Sequence, residues 1–206
     1  MKLKKLIGIG ALALILVNSV AKAQDSKFSI KLPYNLTEKN ILAEPTAEYK
    51  LPGKINGFTF IDLFSNEYYG QTDLTKKLGS VNVRSRIINN NELYTKSGIG
   101  LNKDLELFDE KVYLSVSILP LWFDKKGYLN RQTMDYFFNV NLGKNWSLNG
   151  FGEWELQNKK VNWVYGELDI GKDFNNLRLS YSPAIVKNEI KGINYQHRLA
   201  LTYKFN

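Results

Sequence analysis

The chain has 206 residues, a length that suits one domain, and it contains no cysteine and one histidine. Disulfide frameworks, thiolate nucleophiles and cysteine metal sites are therefore excluded, and a zinc site would need mostly carboxylate ligands, so we expect no metal and no cofactor. The net charge of +8 falls to +4 when the four lysines of residues 1–23 are set aside. The remaining basic residues are interleaved with acids, which argues against a nucleic-acid surface.

Residues 1–23 have the pattern of a secretory signal peptide. The basic start MKLKK precedes the apolar run LIGIGALALILV, and Ala21-Lys22-Ala23 forms a small-x-small cleavage pattern. The apolar run is shorter than the ~20 residues that a membrane-spanning helix needs. We therefore predict export, with cleavage that leaves Gln24 as the first residue.

Residues 24–53 are rich in proline, and their sequence fits more than one structure. They contain Pro33, Pro45 and Pro52, and proline removes a hydrogen-bond donor from a β-ladder. The stretch Phe28, Ile30 and Leu32 alternates briefly. We expect a periplasmic N-terminal segment or a plug within a barrel, with a first pair of irregular strands as the alternative.

Residues 54–206 read as a series of hairpins. Segments of about 10–12 residues with β-branched and aromatic composition are separated by turns rich in Gly and Asn, a length that suits tilted strands crossing a bilayer. The segments are 54–64, 68–78, 81–88, 93–103, 111–122, 131–142, 146–156, 161–171, 176–186 and 193–206. The sequence predicts an all-β, antiparallel up-and-down transmembrane barrel of about ten strands, with eight or twelve as alternatives.

The last segment alternates strictly. One face carries Tyr195, His197, Leu199, Leu201, Tyr203 and Phe205. Period two is typical of a strand with one apolar face. The segment resembles the C-terminal strand of Gram-negative outer-membrane barrels, which typically ends in an aromatic residue, although here Asn206 follows Phe205.

This resemblance implies a location and partners. It implies insertion in the cell outer membrane, contact with outer-membrane lipid, and recognition of the C-terminal strand by the barrel-assembly machinery. Leu199, Leu201, Tyr203 and Phe205 would belong to the barrel-closing strand, which we expect to pair with residues 54–64. A soluble, lipocalin-like secreted protein is the alternative, in which the apolar faces would point inward.

The same alternation predicts which side chains face lipid and which face the lumen. In residues 111–122, Val112, Leu114, Val116, Ile118, Pro120 and Trp122 are expected to face lipid, with Trp122 in an interfacial girdle. The predicted charged lining of the lumen comprises Asp62, Arg84, Arg86, Asp135, Glu153, Glu155, Glu167, Asp169, Arg178 and Arg198.

Two functions compete for this charged lining. A polar lumen favours a narrow channel for small polar solutes. Charges of mixed sign favour instead a non-conducting structural or interaction barrel whose lumen is filled by ion pairs. We expect Glu153, Glu155, Glu167 and Asp169 to form one acidic patch with Arg178 beside it, and Arg84 and Arg86 are the alternative cations that could reach across to it.

An enzyme is the third and weakest interpretation. Barrels that resemble lipid A deacylases place a histidine and a serine two positions apart on the lipid-facing surface, where His197 is predicted to lie. The residue two positions on is Leu199, and no nucleophile elbow, phosphate loop or metal motif is present. We therefore predict no catalytic residue, and a lipid-modifying enzyme remains the last alternative.

Overall fold

The computed structural model of the protein describes residues 24–63, 68–90, 95–157, 159–188 and 192–205. The predicted signal peptide lies outside these residues, as do residues 64–67, 91–94, 158, 189–191 and 206, which fall mostly between the predicted strand segments. Among the described residues there is no helix long and apolar enough to span a membrane.

Twelve strands of eight to fifteen residues form the wall. They are β1 (Gln24–Asn35), β3 (Glu44–Leu51), β4 (Ile55–Leu63), β5 (Tyr68–Leu78), β6 (Val81–Asn90), β7 (Lys96–Leu107), β8 (Val112–Asp124), β10 (Arg131–Gly143), β11 (Trp146–Gln157), β12 (Lys160–Phe174), β13 (Leu177–Asn188) and β14 (Gly192–Phe205). Two short strands, β2 (Asn40–Ile41) and β9 (Gly127–Leu129), extend connections at one end.

The wall is closed. Each long strand is antiparallel to both of its neighbours, β8 pairs with β10 beyond the short β9, and β14 pairs with β1 from Phe28 opposite Phe205 to Asn35 opposite Arg198. The prediction of an antiparallel up-and-down barrel is confirmed, with twelve strands rather than about ten. We call the end where β1 begins and β14 ends the terminal end, and the other the opposite end.

The N-terminal part of the barrel differs from the sequence prediction. Residues 24–51 form β1 to β3 rather than a periplasmic segment or plug, and β14 closes on β1 rather than on residues 54–64. Proline is tolerated because of its position: the carbonyl of Pro33 accepts from Leu42 N–H, so its nitrogen points to the same side. The β1–β3 ladder has already ended there, at Lys31 opposite Glu44, so the missing donor faces the short connection through β2, and the β1–β14 ladder on the other side of the strand continues to Asn35.

The outer face of the wall is apolar. Large apolar side chains there are exposed, as a lipid-facing surface requires. They include Leu32, Ile99, Leu101, Val116, Ile118, Met134, Leu168, Ile170, Leu179, Leu199 and Leu201. A closed apolar interior, which the soluble alternative needs, would have buried these side chains instead.

A bulge turns Trp122 inward, so the predicted girdle position of Trp122 is wrong. Between the pairs Ile99–Leu121 and Leu101–Ile118, two residues of β8 face the single Gly100 of β7. A Cβ on Gly100 would lie 1.9 Å from the carbonyl oxygen of Ile118, so a residue with a side chain does not fit. The extra residue reverses the alternation, and Trp122 is fully buried in the lumen (0% exposed).

Candidate functional site

The inner face of the wall carries the charged side chains. Lys31 on β1 donates to Glu167 on β12 (Nζ–Oε1 2.6 Å), and Arg86 on β6 donates to Glu153 on β11 (Nη1–Oε2 2.9 Å). These strands are not neighbours, so the contacts cross the lumen. The charges fall into two clusters on different sides of it.

The Arg86 cluster consists of Asp73, Arg84, Arg86, Asp135 and Glu153. Arg86 is fully buried (0% exposed), and its guanidinium reaches three carboxylates at 2.9 Å, those of Asp73, Asp135 and Glu153. Arg84 contacts Asp73 at 2.7 Å and Asp135 at 2.8 Å. Buried charges are stable only when paired and hydrogen-bonded. The cluster meets that requirement by joining β5, β6, β10 and β11 across the lumen.

Arg131 extends this cluster toward the opposite end. Its guanidinium lies 3.4 Å from Glu155 and 3.8 Å from Glu153, and its Cζ is 4.9 Å from the centroid of the Trp122 ring. The indole N–H of Trp122 donates to Leu119 O (3.1 Å) and Thr133 Oγ1 (3.2 Å). These bonds fix the ring within the lumen, where it narrows the opposite end.

The Arg198 cluster occupies the other side of the lumen. Its members are Lys31, Glu44, Glu167, Asp169, Arg178 and Arg198. Glu167 lies between Lys31 (2.6 Å) and Arg198 (3.1 Å). Asp169 contacts Arg178 (2.6 Å) and accepts from Ser182 Oγ (2.6 Å). Glu44 lies 3.8 Å from both Lys31 and Arg198.

Asp62, also predicted to line the lumen, is half-buried on β4 opposite Tyr69 of β5. The antiparallel bridge between Ala43 and Leu63 places Asp62 across from Glu44, a member of the Arg198 cluster. Asp62 is therefore part of the surroundings of the Arg198 cluster rather than of the Arg86 cluster.

The four acids predicted to form one patch are divided between the clusters. Glu153 and Glu155 lie with Arg86 and Arg131, whereas Glu167 and Asp169 lie with the Arg198 cluster. Tyr165, opposite Glu153 in the register, separates the two groups. Arg178 contacts Asp169 and Asp173 alone among the acids that the structure describes, so the predicted single patch with Arg178 beside it is wrong.

Sequence reasoning missed several inward charges. Tyr69, Gln71 and Asp73 are two residues apart along β5, so they lie on the same face of the strand. This alternation could have predicted that Asp73 faces the lumen. Lys31 has the opposite phase to Ile30 and Leu32, but the segment was assigned outside the barrel wall. Glu44 was missed for the same reason.

Each end of the lumen contains a cavity. The terminal cavity has a volume of about 570 Å³. Its lining comprises Asn139, Asn141, Gly143, Lys144, Asn145, Trp146, Ser147, Asn149, Asp173, Arg178 and Lys204. The opposite cavity, of about 160 Å³, is lined by Tyr69, Ile88, Asn90, Lys96, Arg131, Glu153 and Val164. The two clusters lie between these cavities.

His197 lies on the outer face of β14. Its Nδ1 is 2.6 Å from Tyr181 Oη, and the two rings stack at 6.1 Å with an interplanar angle of 11°. Ser180 and Ser182 of the neighbouring strand are buried on the lumenal side. His197 therefore contacts an aromatic residue on the surface, and these two serines point away from it.

Comparison with known proteins identifies the fold. No protein-family model matches the sequence, and no curated protein matches it. Among solved structures, the NanC porin is similar with a TM-score of 0.61 and 7% identity, covering 87% of this chain and 99% of that chain. The KdgM porin in complex with disordered oligogalacturonate is similar with a TM-score of 0.58 and 6% identity, covering 87% and 99%. These similarities show that the chain shares its fold, a closed antiparallel β-barrel with an apolar outer face, with these two porins.

Proposed function

We propose that the protein is a narrow outer-membrane channel for small polar solutes. A closed barrel with an apolar exterior and a polar interior provides a water-accessible path only through its lumen. A barrel of twelve strands encloses more space than an eight-stranded barrel, whose interior is filled by side chains. It encloses less space than the wide porins of sixteen to eighteen strands. The observation that carries the proposal is the polar lumen with a cavity at each end, in a fold shared with porins.

The ion-pair clusters would set the selectivity of this channel. Both signs of charge line the narrow middle, and the charges are held by partners on other strands. A lining of this kind presents polar groups to a solute without a strong field of one sign, because opposite charges at contact distance screen one another. We therefore expect size to limit passage more than charge does.

Solute flux into proteoliposomes tests the proposal. Vesicles containing the purified protein should swell in an isotonic pentose solution and swell progressively more slowly with di- and trisaccharides. Protein-free vesicles prepared with the same lipid and detergent are the control. Equal, negligible swelling in every solute would contradict the channel.

A non-conducting barrel is the second candidate. The observation that favours it is the fully buried Arg86, which joins β6 to β10 and β11 through the middle of the lumen. In this case the ion pairs would serve stability, and the flux measurement would show no pentose entry. An enzymatic role has no comparable support, because the fold is that of porins and His197 has Tyr181 as its polar partner.

The proposed location is the outer membrane, reached through the cleaved signal peptide of residues 1–23. The proposed signal for the assembly machinery is β14, whose Phe205 packs on Phe28 of β1 with ring centroids 5.1 Å apart. Deleting residues 203–206 should abolish membrane insertion, because it opens the seam between β14 and β1. Tyr203→Phe, which keeps the ring, is the control. Normal membrane yield and heat-modifiable gel mobility after the deletion would contradict this assignment.

A further inference from the structure

The inner faces of β10 and β11 carry ordered rows of side chains. From the terminal end inward, the cross-strand pairs are Asn139–Asn149, Phe137–Phe151 and Asp135–Glu153. The Asn pair lines the terminal cavity, and the Asp–Glu pair belongs to the Arg86 cluster. The Phe pair lies between them, two residues or ~7 Å along the strand from the amides.

Two further rings continue the Phe pair into a band. Tyr113 of β8 lies 6.0 Å from Phe137, and Tyr165 of β12 lies 6.0 Å from Phe151, measured between ring centroids. We call Tyr113, Phe137, Phe151 and Tyr165 the aromatic band. It crosses four adjacent strands on the lumenal side. Its rings are not part of the cavity lining; Phe137 and Phe151 lie one row further into the lumen than Asn139 and Asn149, which are.

Phe137 is 39% exposed although it faces the interior. An apolar ring that stays in contact with the lumen gains little from burial in the folded protein. Ring faces of this kind, beside a few convergent polar groups, are characteristic of ligand pockets. The exposed part of Phe137 is therefore available to a solute that has an apolar face of its own.

The polar groups of the terminal cavity are mainly uncharged or paired. Asn139 and Asn149 hydrogen-bond each other, and amides both donate and accept without carrying charge. Arg178 is bound to Asp169 and Asp173, and Lys204 is bound to Asp173. The cavity, at about 570 Å³, falls within the range of pockets that hold small molecules.

We infer that the terminal cavity is a binding subsite for an uncharged sugar ring, held between the aromatic band and the asparagine amides. A pyranose presents C–H groups on its faces and hydroxyl groups on its edge. The C–H face would lie on Phe137, and the hydroxyl groups would exchange hydrogen bonds with Asn139 and Asn149. Arg178 and Lys204 are already paired with carboxylates, and Lys144 lies in the turn between β10 and β11. We therefore expect the subsite to discriminate by ring shape more than by charge.

Equilibrium dialysis with labelled maltotriose tests the inference, using the full-length barrel in a detergent without a sugar head group. Maltotriose should bind saturably, and sorbitol, which has hydroxyl groups but no ring, should bind much more weakly. Phe137→Ala should weaken maltotriose binding by about three- to tenfold, the value of one aromatic contact. Phe137→Trp should retain binding, because it keeps a ring face at the same position.

Phe138→Ala is the matched control. Phe138 is the next residue of β10 but lies on the outer face, where a Cβ on Gly150 would clash with its ring. This variant should bind maltotriose like the wild type. Absence of saturable binding, equal loss in both alanine variants, or tighter binding of glucuronate than of maltotriose would overturn the inference.

The inference rests on the proposed function, because a channel would deliver the solute to the subsite. The experiments nevertheless distinguish a failure of the subsite from a failure of the channel. Maltotriose binding that depends on Phe137, in a barrel that admits no pentose, would support the subsite and contradict the channel. Pentose entry without maltotriose binding would support the channel and contradict the subsite.

Discussion

The middle of the lumen and its terminal end use polar residues in different ways. In the middle, Arg86 is fully enclosed by carboxylates from three other strands, whereas the polar side chains that β10 and β11 contribute to the terminal cavity are asparagine and serine. A buried charge must reach a partner wherever it lies, so charged side chains cross the lumen and narrow it. Amides pair with the adjacent strand or with water, so they remain near the wall and leave space. Along β10 and β11, the lumen is therefore filled where Arg86 bridges their carboxylates and stays open where their amides pair with each other.

The largest effect expected from this comparison is on stability, through Arg86→Met. Methionine leaves Asp73, Asp135 and Glu153 short of their shared cation, and breaking a buried ion pair costs about 3–5 kcal/mol. The free energy of unfolding, measured by urea titration in lipid vesicles, should fall by that amount. Lys50→Met is the control, since its ion pair with Asp25 is exposed to solvent and should contribute little to the free energy of unfolding. Equal small losses in the two variants would contradict the structural role of the Arg86 cluster.

Arg178→Ala should have an intermediate effect, because Arg178 lies where the Arg198 cluster meets the terminal cavity. In this variant Asp169 would still accept a hydrogen bond from Ser182 and lie near the ammonium of Lys31. The free energy of unfolding should therefore fall by about 1–3 kcal/mol. Removing a cation from the lumen should also shift the reversal potential in a KCl gradient toward cation selectivity.

The control for the reversal potential is Lys172→Ala. Lys172 lies over the rings of Trp146 and Phe174, at 5.7 and 5.3 Å from their centroids, and its loss changes the net charge equally. Gly171, opposite the buried Ser180, and Asp173, which lines the terminal cavity, both lie on the inner face of β12. Lys172 lies between them and therefore faces outward, away from the lumen. A shift as large as that of Arg178→Ala would mean that net charge, not the lumenal position, controls selectivity.

The smallest effect is expected in the terminal cavity. Asn139→Ala removes the hydrogen bond between the amides of Asn139 and Asn149. Asn149 would still donate to Asp169 Oδ1 at 3.5 Å. The free energy of unfolding should therefore fall by only about 0.5–1.5 kcal/mol. The same urea titration checks this value. A loss as large as that of Arg86→Met would show that the amides, too, are essential to the closed wall.

The wall of the barrel was largely predictable from period two. The alternation of β14 placed Leu199 and Leu201 on the outer face, where they are exposed, and the turns from Gly79 onward lie close to the strand ends. The predicted number of strands is too low because the prolines in residues 24–53 argue against strands there. Pro33 is compatible with β1 only because the ladder on one side ends before it, which is a feature of tertiary pairing.

The partners within the lumen were only partly predictable, since Arg86 was one of three candidate cations for the predicted acidic patch and Arg178 was preferred. Which cation meets Glu153 depends on closure of the barrel, which brings Arg86 across from β6, and on the register of each intervening strand pair. The bulge opposite Gly100 also escaped detection, since a glycine within a strand indicates a bulge without saying which residues of the partner it displaces. It reversed the direction of Trp122.

Conductance of the purified protein in a planar lipid bilayer tests the channel most directly. A lumen narrowed by the Arg86 and Arg198 clusters, but with polar walls and a cavity at each end, predicts steady unitary currents that are small compared with those of wide porins. Arg178→Ala should keep these currents and change their ion preference. Electrical silence of a correctly folded, heat-modifiable barrel would contradict the channel and assign the ion pairs to a non-conducting structure.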